Sequence, residues 1–76
     1  MPLAEAPQGE SMLVTRMTVD AKTRRHLENL GIMSGAELTP LSFSDGNMIV
    51  RVRDSRIAIN RDVAANILVR KRPVFA

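Results

Sequence analysis

The sequence predicts a mainly β fold: a small barrel of about five strands, with one α-helix between strands 1 and 2 and a short helical turn before the last strand. Three observations predict it. Short apolar runs alternate with polar residues at the two-residue period of half-buried strands. Turn residues interrupt these runs every few positions. One segment alone carries both start and stop signals of a helix. With 76 residues, a single domain is expected.

The first half of the chain supplies the first strand and the helix. Residues 12–17 form a short apolar run that suits a strand. Asp20 is a good N-cap for a helix over residues 21–30. Gly31 stands where a left-handed residue ends a helix, and we expect the apolar residue after it to pack back onto the last helical turn. Gly35 then indicates a second tight turn.

The second half supplies four strands separated by turns. Pro40 interrupts the apolar alternation of its strand and indicates a bulge or an edge position. Asp45 and Gly46 form the Asp-Gly pair typical of a tight hairpin. In chain order we expect a strand over 36–43, the hairpin turn at 44–47, a strand over 48–53, a turn at Asp54-Ser55, a strand over 56–60, a helical turn over 61–66 and a strand over 67–69.

The two ends of the chain have little periodicity. Residues 1–8 carry two prolines and are predicted to be a flexible lead-in. The folded domain is expected over residues 9–70, and residues 71–76 are predicted to be a frayed tail. No apolar run is long enough for a membrane helix and no secretory signal is recognisable, so we expect a cytoplasmic protein that does not insert into membranes.

Composition argues against several kinds of site. Without cysteine, neither a disulfide framework nor a thiolate metal site is expected. His26 is the only imidazole and has no carboxylate cluster at ligand spacing, so we interpret it as a rim residue rather than a metal ligand. Four widely spaced methionines are interpreted as core or rim filler: Met12, Met17, Met33 and Met48. No catalytic constellation and no cofactor motif is recognisable, so an enzyme is not expected.

Charge is unevenly distributed along the chain. Residues 1–46 sum to −2 and residues 47–76 to +5, which suits either nucleic acid or an acidic protein partner. The absence of Trp and Tyr argues against single-stranded nucleic acid, because proteins that bind single strands stack bases on aromatic side chains. Arg51 and Arg53 are expected to share an outward face, as a solvated surface, a partner contact or a phosphate contact.

Two surfaces are candidates for a protein partner. The outer side of the helix presents Lys22 and Arg25, and the loop after it presents Met33 and Ser34. An exposed apolar residue flanked by polar ones is a plausible anchor. The predicted partner-binding set is Met33, Ser34, Lys22, Arg25, Arg51 and Arg53, and the predicted structural turn glycines are Gly31, Gly35 and Gly46.

An ordered set of motifs resembles the FeoA family, the small cytosolic partner of the ferrous-iron transporter FeoB. The motifs are Arg24, Leu27, Leu30-Gly31-Ile32 and Gly35, then Gly46, Val50, Val52 and Ile57-Ala58-Ile59, then Ala64 and Ile67-Leu68-Val69. The chain departs from the family pattern at Ser34, Asn47, Asp54-Ser55 and Val63. We expect these departures to affect the rigidity of the loops more than the fold.

This resemblance implies an SH3-like barrel and an accessory role in ferrous-iron uptake. It implies binding to the cytoplasmic part of a FeoB-type transporter and modulation of its GTPase or transport cycle. It also associates the domain with transition-metal ions and allows weak homo-oligomers. The alternative is a nucleic-acid-binding small barrel of the Sm-like or KOW type.

Overall fold

The computed structural model describes residues 1–72 of the chain. It contains β1 (Met12–Met17), α1 (Ala21–Asn29), β2 (Glu37–Ser44), β3 (Asn47–Val52), β4 (Ser55–Asn60), α2 (Arg61–Ala65) and β5 (Ile67–Lys71), preceded by a 3₁₀ turn at Leu3–Glu5. The predicted order of elements is therefore confirmed, including the helix between strands 1 and 2 and the short helix before the last strand. Within residues 1–72, no helix is long and apolar enough to cross a membrane.

All five strands belong to one antiparallel sheet. Their order is β4-β3-β2-β1-β5, so β4 and β5 are its edges and α2 connects them along the chain. Asn60 caps α2 through its side-chain oxygen, which accepts hydrogen bonds from the Asp62 and Val63 amides at 2.7 and 3.2 Å. This cap lets the chain turn from β4 directly into α2.

The inner face of the sheet forms the hydrophobic core. Of the residues described, no polar or charged side chain is buried there. Three methionines fill this core as predicted: Met12, Met17 and Met48. Its other large members are Leu3, Val14, Leu27, Ile32, Leu38, Val50, Val52, Ile59, Ile67 and Val69. The core explains how a chain this short folds, because nearly every inward position carries an apolar side chain.

The bulge in β2 and the following hairpin are confirmed. The pairing with β3 shifts register between Pro40 and Ser42, which leaves Leu41 as the extra residue. At the tip, Asp45 and Gly46 both have positive φ, 52° and 79°. Two consecutive left-handed residues are what a tight hairpin requires.

The predicted turn at Asp54-Ser55 is displaced by one residue. Val52 pairs with Ser55, so Arg53 and Asp54 are the two turn residues and Arg53 is not on a strand face as predicted. The cause is the β3–β4 register, which aligns Val50 with Ile57 on the inner side and leaves only these two residues unpaired. Arg53 consequently adopts φ 57°, which is uncommon for a residue with a side chain.

The prediction of a flexible lead-in over residues 1–8 is wrong for its first six residues. Leu3 is fully buried in the core and Ala6 is nearly so. Pro2 forms an isolated bridge with Leu68, and the Val69 amide donates to the Met1 carbonyl at 2.8 Å. One 3₁₀ turn is too short to produce a repeating pattern of apolar residues. The burial of Leu3 is therefore not predictable from the neighbouring sequence.

The C-terminal tail also begins later than predicted. Lys71 is the last residue of β5, and Arg72 forms an ion pair with Glu37 at 3.1 Å. Residues 73–76, the rest of the predicted tail, lie outside the described residues.

Candidate partner-binding site

The start of α1 is fixed by the predicted N-cap. The Asp20 carboxylate accepts a hydrogen bond from the Thr23 amide at 2.7 Å. Hydrogen bonds from the side chain and then the backbone of Thr23 lower the pKa of Asp20. Arg24 does not pair with this carboxylate but donates from Nη2 to the Met17 carbonyl at 2.8 Å, which ties α1 to the end of β1.

The end of α1 is the predicted Schellman motif. The Gly31 amide donates to the Glu28 carbonyl and the Ile32 amide to the Leu27 carbonyl, both at 2.9 Å. Gly31 has φ 92° and Ile32 is fully buried. The helix therefore stops at a defined residue, and the chain leaves it in a defined direction.

The loop after α1 is held in place by three backbone hydrogen bonds, two of them to β1 and one within the loop itself. The Gly35 amide donates to the Val14 carbonyl at 2.7 Å, the Val14 amide donates to the Ala36 carbonyl at 2.9 Å, and the Ala36 amide closes a turn onto the Met33 carbonyl at 2.9 Å. Between these anchors the loop presents Met33, which is 39% exposed, and Ser34. The predicted exposure of Met33 is thus confirmed, with a rigid base beneath it.

A cleft beside this loop brings together several arginines that are distant in sequence. Its volume is about 550 Å³. Arg51, Arg53 and Arg72 line it, as do Gly31 and Ala36 at the two ends of the loop. We call this surface the arginine cleft; its remaining lining residues are Ser11, Glu37, Leu38, Thr39 and Val52.

The charges of the arginine cleft are only partly balanced. The Glu37 carboxylate forms an ion pair with Arg72 at 3.1 Å and accepts a hydrogen bond from the Ser11 hydroxyl. Neither Arg51 nor Arg53 forms an ion pair with a residue in the range 1–72. The cleft therefore keeps a net positive charge that faces solvent.

The six predicted partner-binding residues fall into separate groups. Arg51 and Arg53 line the cleft, while Met33 and Ser34 lie in the loop beside it. The remaining two, Lys22 and Arg25, are exposed on α1 and do not line the cleft. The structure thus places the loop and the arginines on adjoining surfaces.

Two arginines of this region lie outside the predicted partner-binding set, although the sequence places Arg56 near Arg51 and Arg53. Arg56 lies directly opposite Arg51 across the β3–β4 pair, and Arg72 reaches the cleft from the end of β5. The position of Arg56 opposite Arg51 follows from the pairing register of β3 and β4. A turn at Asp54-Ser55, as predicted, would give a different register. Arg72 was assigned to the tail, and no local pattern indicated that it contacts Glu37.

The surroundings of His26 do not fit a metal site. His26 is exposed on α1 and borders a hollow of about 220 Å³ with Leu30, Ala58 and other uncharged residues. In the part of the chain described, no group of three or more His, Cys, Asp or Glu side chains could hold a metal ion. The donor set therefore does not fit the transition-metal ion that the family resemblance suggested.

Comparison with known proteins identifies the family of the chain. The FeoA domain model matches residues 1–71. A protein described as Fe(2+) transport protein A, from Methanocaldococcus jannaschii, is 32% identical over 68 residues, which cover 90% of this chain and 83% of that one.

Two solved structures are similar in both sequence and fold. A crystal structure of the iron uptake regulatory protein FeoA is 31% identical with a TM-score of 0.82, and the match covers 93% of this chain and 95% of that one. The solution structure of FeoA from Chlorobium tepidum is 29% identical with a TM-score of 0.87, covering 93% and 70%. These likenesses confirm the SH3-like fold, and the chain belongs to the FeoA domain family.

Proposed function

We propose that this protein is a non-catalytic accessory protein of ferrous-iron uptake. In this proposal it resides in the cytoplasm, binds the cytoplasmic part of a FeoB-type membrane transporter and modulates its GTPase or transport cycle. Membership of the FeoA family is the observation that carries the proposal. The relative from Methanocaldococcus jannaschii has a name that refers to Fe(2+) transport, which supports the same system for this chain.

The surface around the loop after α1 supports binding of a protein. Met33 is an exposed, flexible apolar side chain on a loop fixed by hydrogen bonds, so it can fill a partner's pocket with little backbone ordering. The arginine cleft beside it can attract an acidic surface and speed the encounter. An apolar anchor next to a charged rim is the usual anatomy of a transient interface.

The direct test uses purified components. The full chain is titrated into the cytosolic domain of a FeoB-type transporter, with binding followed by calorimetry and GTP hydrolysis by phosphate release. We expect saturable one-to-one binding and a changed hydrolysis rate. The titration extends to a protein concentration of about 1 mM, because an interaction with a larger dissociation constant is too weak to be specific. If the transporter domain shows neither binding nor a changed hydrolysis rate in that range, the proposal is wrong.

The alternative function, binding of nucleic acid, is favoured by one observation. Arg51, Arg53 and Arg56 form no ion pair with residues 1–72 and lie at one end of the β3–β4 hairpin. If phosphate contacts dominate, the logarithm of the binding constant should fall linearly with the logarithm of salt, by about 0.7 to 0.9 per neutralised phosphate. A steep slope with an oligonucleotide, and no binding to the transporter domain, would establish this alternative.

A further inference from the structure

We propose that the arginine end of the β3–β4 hairpin, together with the arginine cleft, binds an acidic, extended segment of a partner protein through its carboxylates. We define the arginine hairpin as Arg51, Arg53 and Arg56. That the segment belongs to the transporter rests on the proposed function, whereas the preference for carboxylates rests on the residues themselves.

The first observation is a pair of like charges placed face to face. Arg51 and Arg56 are direct cross-strand partners in β3 and β4, and both side chains are exposed. Like charges directly opposite one another on a sheet destabilise it. No carboxylate of residues 1–72 forms an ion pair with either guanidinium, so this repulsion is uncompensated within the described chain. An anionic ligand lying across the pair would relieve it.

The second observation is the backbone of the third arginine. Arg53 occupies the turn with φ 57°, where glycine, asparagine or aspartate would be less strained. Strained residues of this kind are concentrated at binding sites, where the surrounding structure holds them in place. Arg53 thereby adds a third arginine beside the facing pair, and it lines the same cleft as Arg51.

The third observation is that the cleft already holds a carboxylate. Glu37 is bound by Arg72 at 3.1 Å and by the Ser11 hydroxyl, within the same set of lining residues as Arg51 and Arg53. A volume of about 550 Å³ suits a few residues of an extended chain rather than the flat face of a folded domain. Guanidinium groups bind carboxylates, as they bind phosphates, in a planar, bidentate fashion. Acidic side chains are therefore suitable ligands for these arginines.

The position of the aromatic side chain argues against single-stranded nucleic acid. Phe43 is the one aromatic residue within residues 1–72, and it pairs with Met48 near the start of β3. Arg53 follows the other end of that strand, roughly 16 Å away at about 3.3 Å per residue. A base stacked on Phe43 would therefore lie roughly 10 Å from Arg51 and farther from Arg53. The Phe43 ring also already faces a guanidinium of this chain, since Arg61 lies 5.7 Å from its centroid. These observations favour an acidic peptide.

The test measures binding of an acetylated hexaglutamate peptide to the full chain, by calorimetry and by amide chemical shifts, at low salt. We expect the shifts to be centred on the arginine hairpin and the cleft. Arg51→Gln with Arg56→Gln should weaken binding about tenfold, because two partly screened charge contacts are removed. The melting temperature of this double variant should not fall below that of wild type, because the substitutions also remove the repulsion between the two facing arginines.

A matched control separates the site from net charge. Arg16→Gln with Arg70→Gln removes the same charge from two exposed arginines that do not line the cleft, and it should bind the peptide like wild type. Equal weakening of the two double variants would overturn the proposal, since binding would then depend only on net charge. Tighter binding of an oligothymidylate with the same number of charges would overturn it in favour of nucleic acid.

The outcome is independent of the transporter. If hexaglutamate binds at the arginine hairpin and the transporter domain does not bind, the carboxylate site stands and the proposed function fails. If the transporter domain binds wild type but hexaglutamate does not bind at the arginine hairpin, the proposed function stands and this inference is wrong.

Discussion

Gly31 is the single residue on which the shape of the loop after α1 depends most. Its φ of 92° is rarely adopted by residues with a side chain, and a Cβ there would lie 3.3 Å from Cγ1 of Val52. Gly31→Val should therefore lower the free energy of unfolding by at least about 1 kcal/mol, measured by urea denaturation. Gly31→Asn should cost less, because asparagine tolerates positive φ. Equal stability of wild type and Gly31→Val would mean that α1 does not end in a Schellman motif.

Asp20 predicts a specific loss of stability in acid. Hydrogen bonds from the side chain and backbone of Thr23 lower its pKa below the usual 3.8, so its carboxylate stabilises the folded state above that value. This contribution is lost as the pH falls through the lowered pKa of the folded state. We expect Asp20→Asn, which keeps a capping oxygen but cannot titrate, to lose less melting temperature than wild type between pH 6 and pH 3. Parallel acid profiles of the two proteins would contradict this.

At the level of elements, the N-terminal segment is part of the fold rather than a lead-in. Leu3 is fully buried against the core, whereas Glu5 of the same 3₁₀ turn is exposed. Leu3→Ala should lower the free energy of unfolding by about 2–5 kcal/mol, the usual cost of truncating a buried leucine. Glu5→Ala is the matched control and should change stability little. A small effect of Leu3→Ala, measured by chemical denaturation, would show that this segment does not pack as described.

Elements with strong local signals were predictable from the sequence. The cap at Asp20, the glycine stop at Gly31, the bulge near Pro40 and the Asp-Gly hairpin all appear where residue chemistry placed them. The turn between β3 and β4 is predicted one residue too late, at Asp54-Ser55, because it lacks glycine or asparagine at the left-handed position, Arg53. The pairing of inner apolar residues sets that turn, and this pairing is a property of two strands rather than of one segment.

The candidate site was only partly predictable, because it is assembled at the scale of the whole molecule. Charge and exposure indicated Arg51, Arg53 and Met33 individually. That the loop after α1 adjoins the arginine cleft depends on β1, β2 and β3 lying side by side, which no local period encodes. The same holds for Arg72, which reaches Glu37 only because β5 pairs with β1.

Binding of the transporter's cytosolic domain should separate the apolar anchor from the charged rim. Met33→Asp places a charge where an apolar contact is expected, so we expect binding to weaken about tenfold or more with little change in melting temperature. Phe43→Asp is the matched control, because Phe43 is similarly exposed, at 42%, but lies at the β2–β3 hairpin away from the cleft.

Reversal of the cleft charges should act mainly on the rate of association. Arg51→Glu with Arg53→Glu should slow the association measured by surface plasmon resonance and flatten its dependence on salt, since rim charges steer the encounter more than they hold the complex. Met33→Asp should instead mainly speed dissociation, because it removes a contact made only in the complex. If both variants associate and dissociate like wild type, the interface lies on another surface, and the exposed side of α1 with Lys22 and Arg25 is the next to mutate.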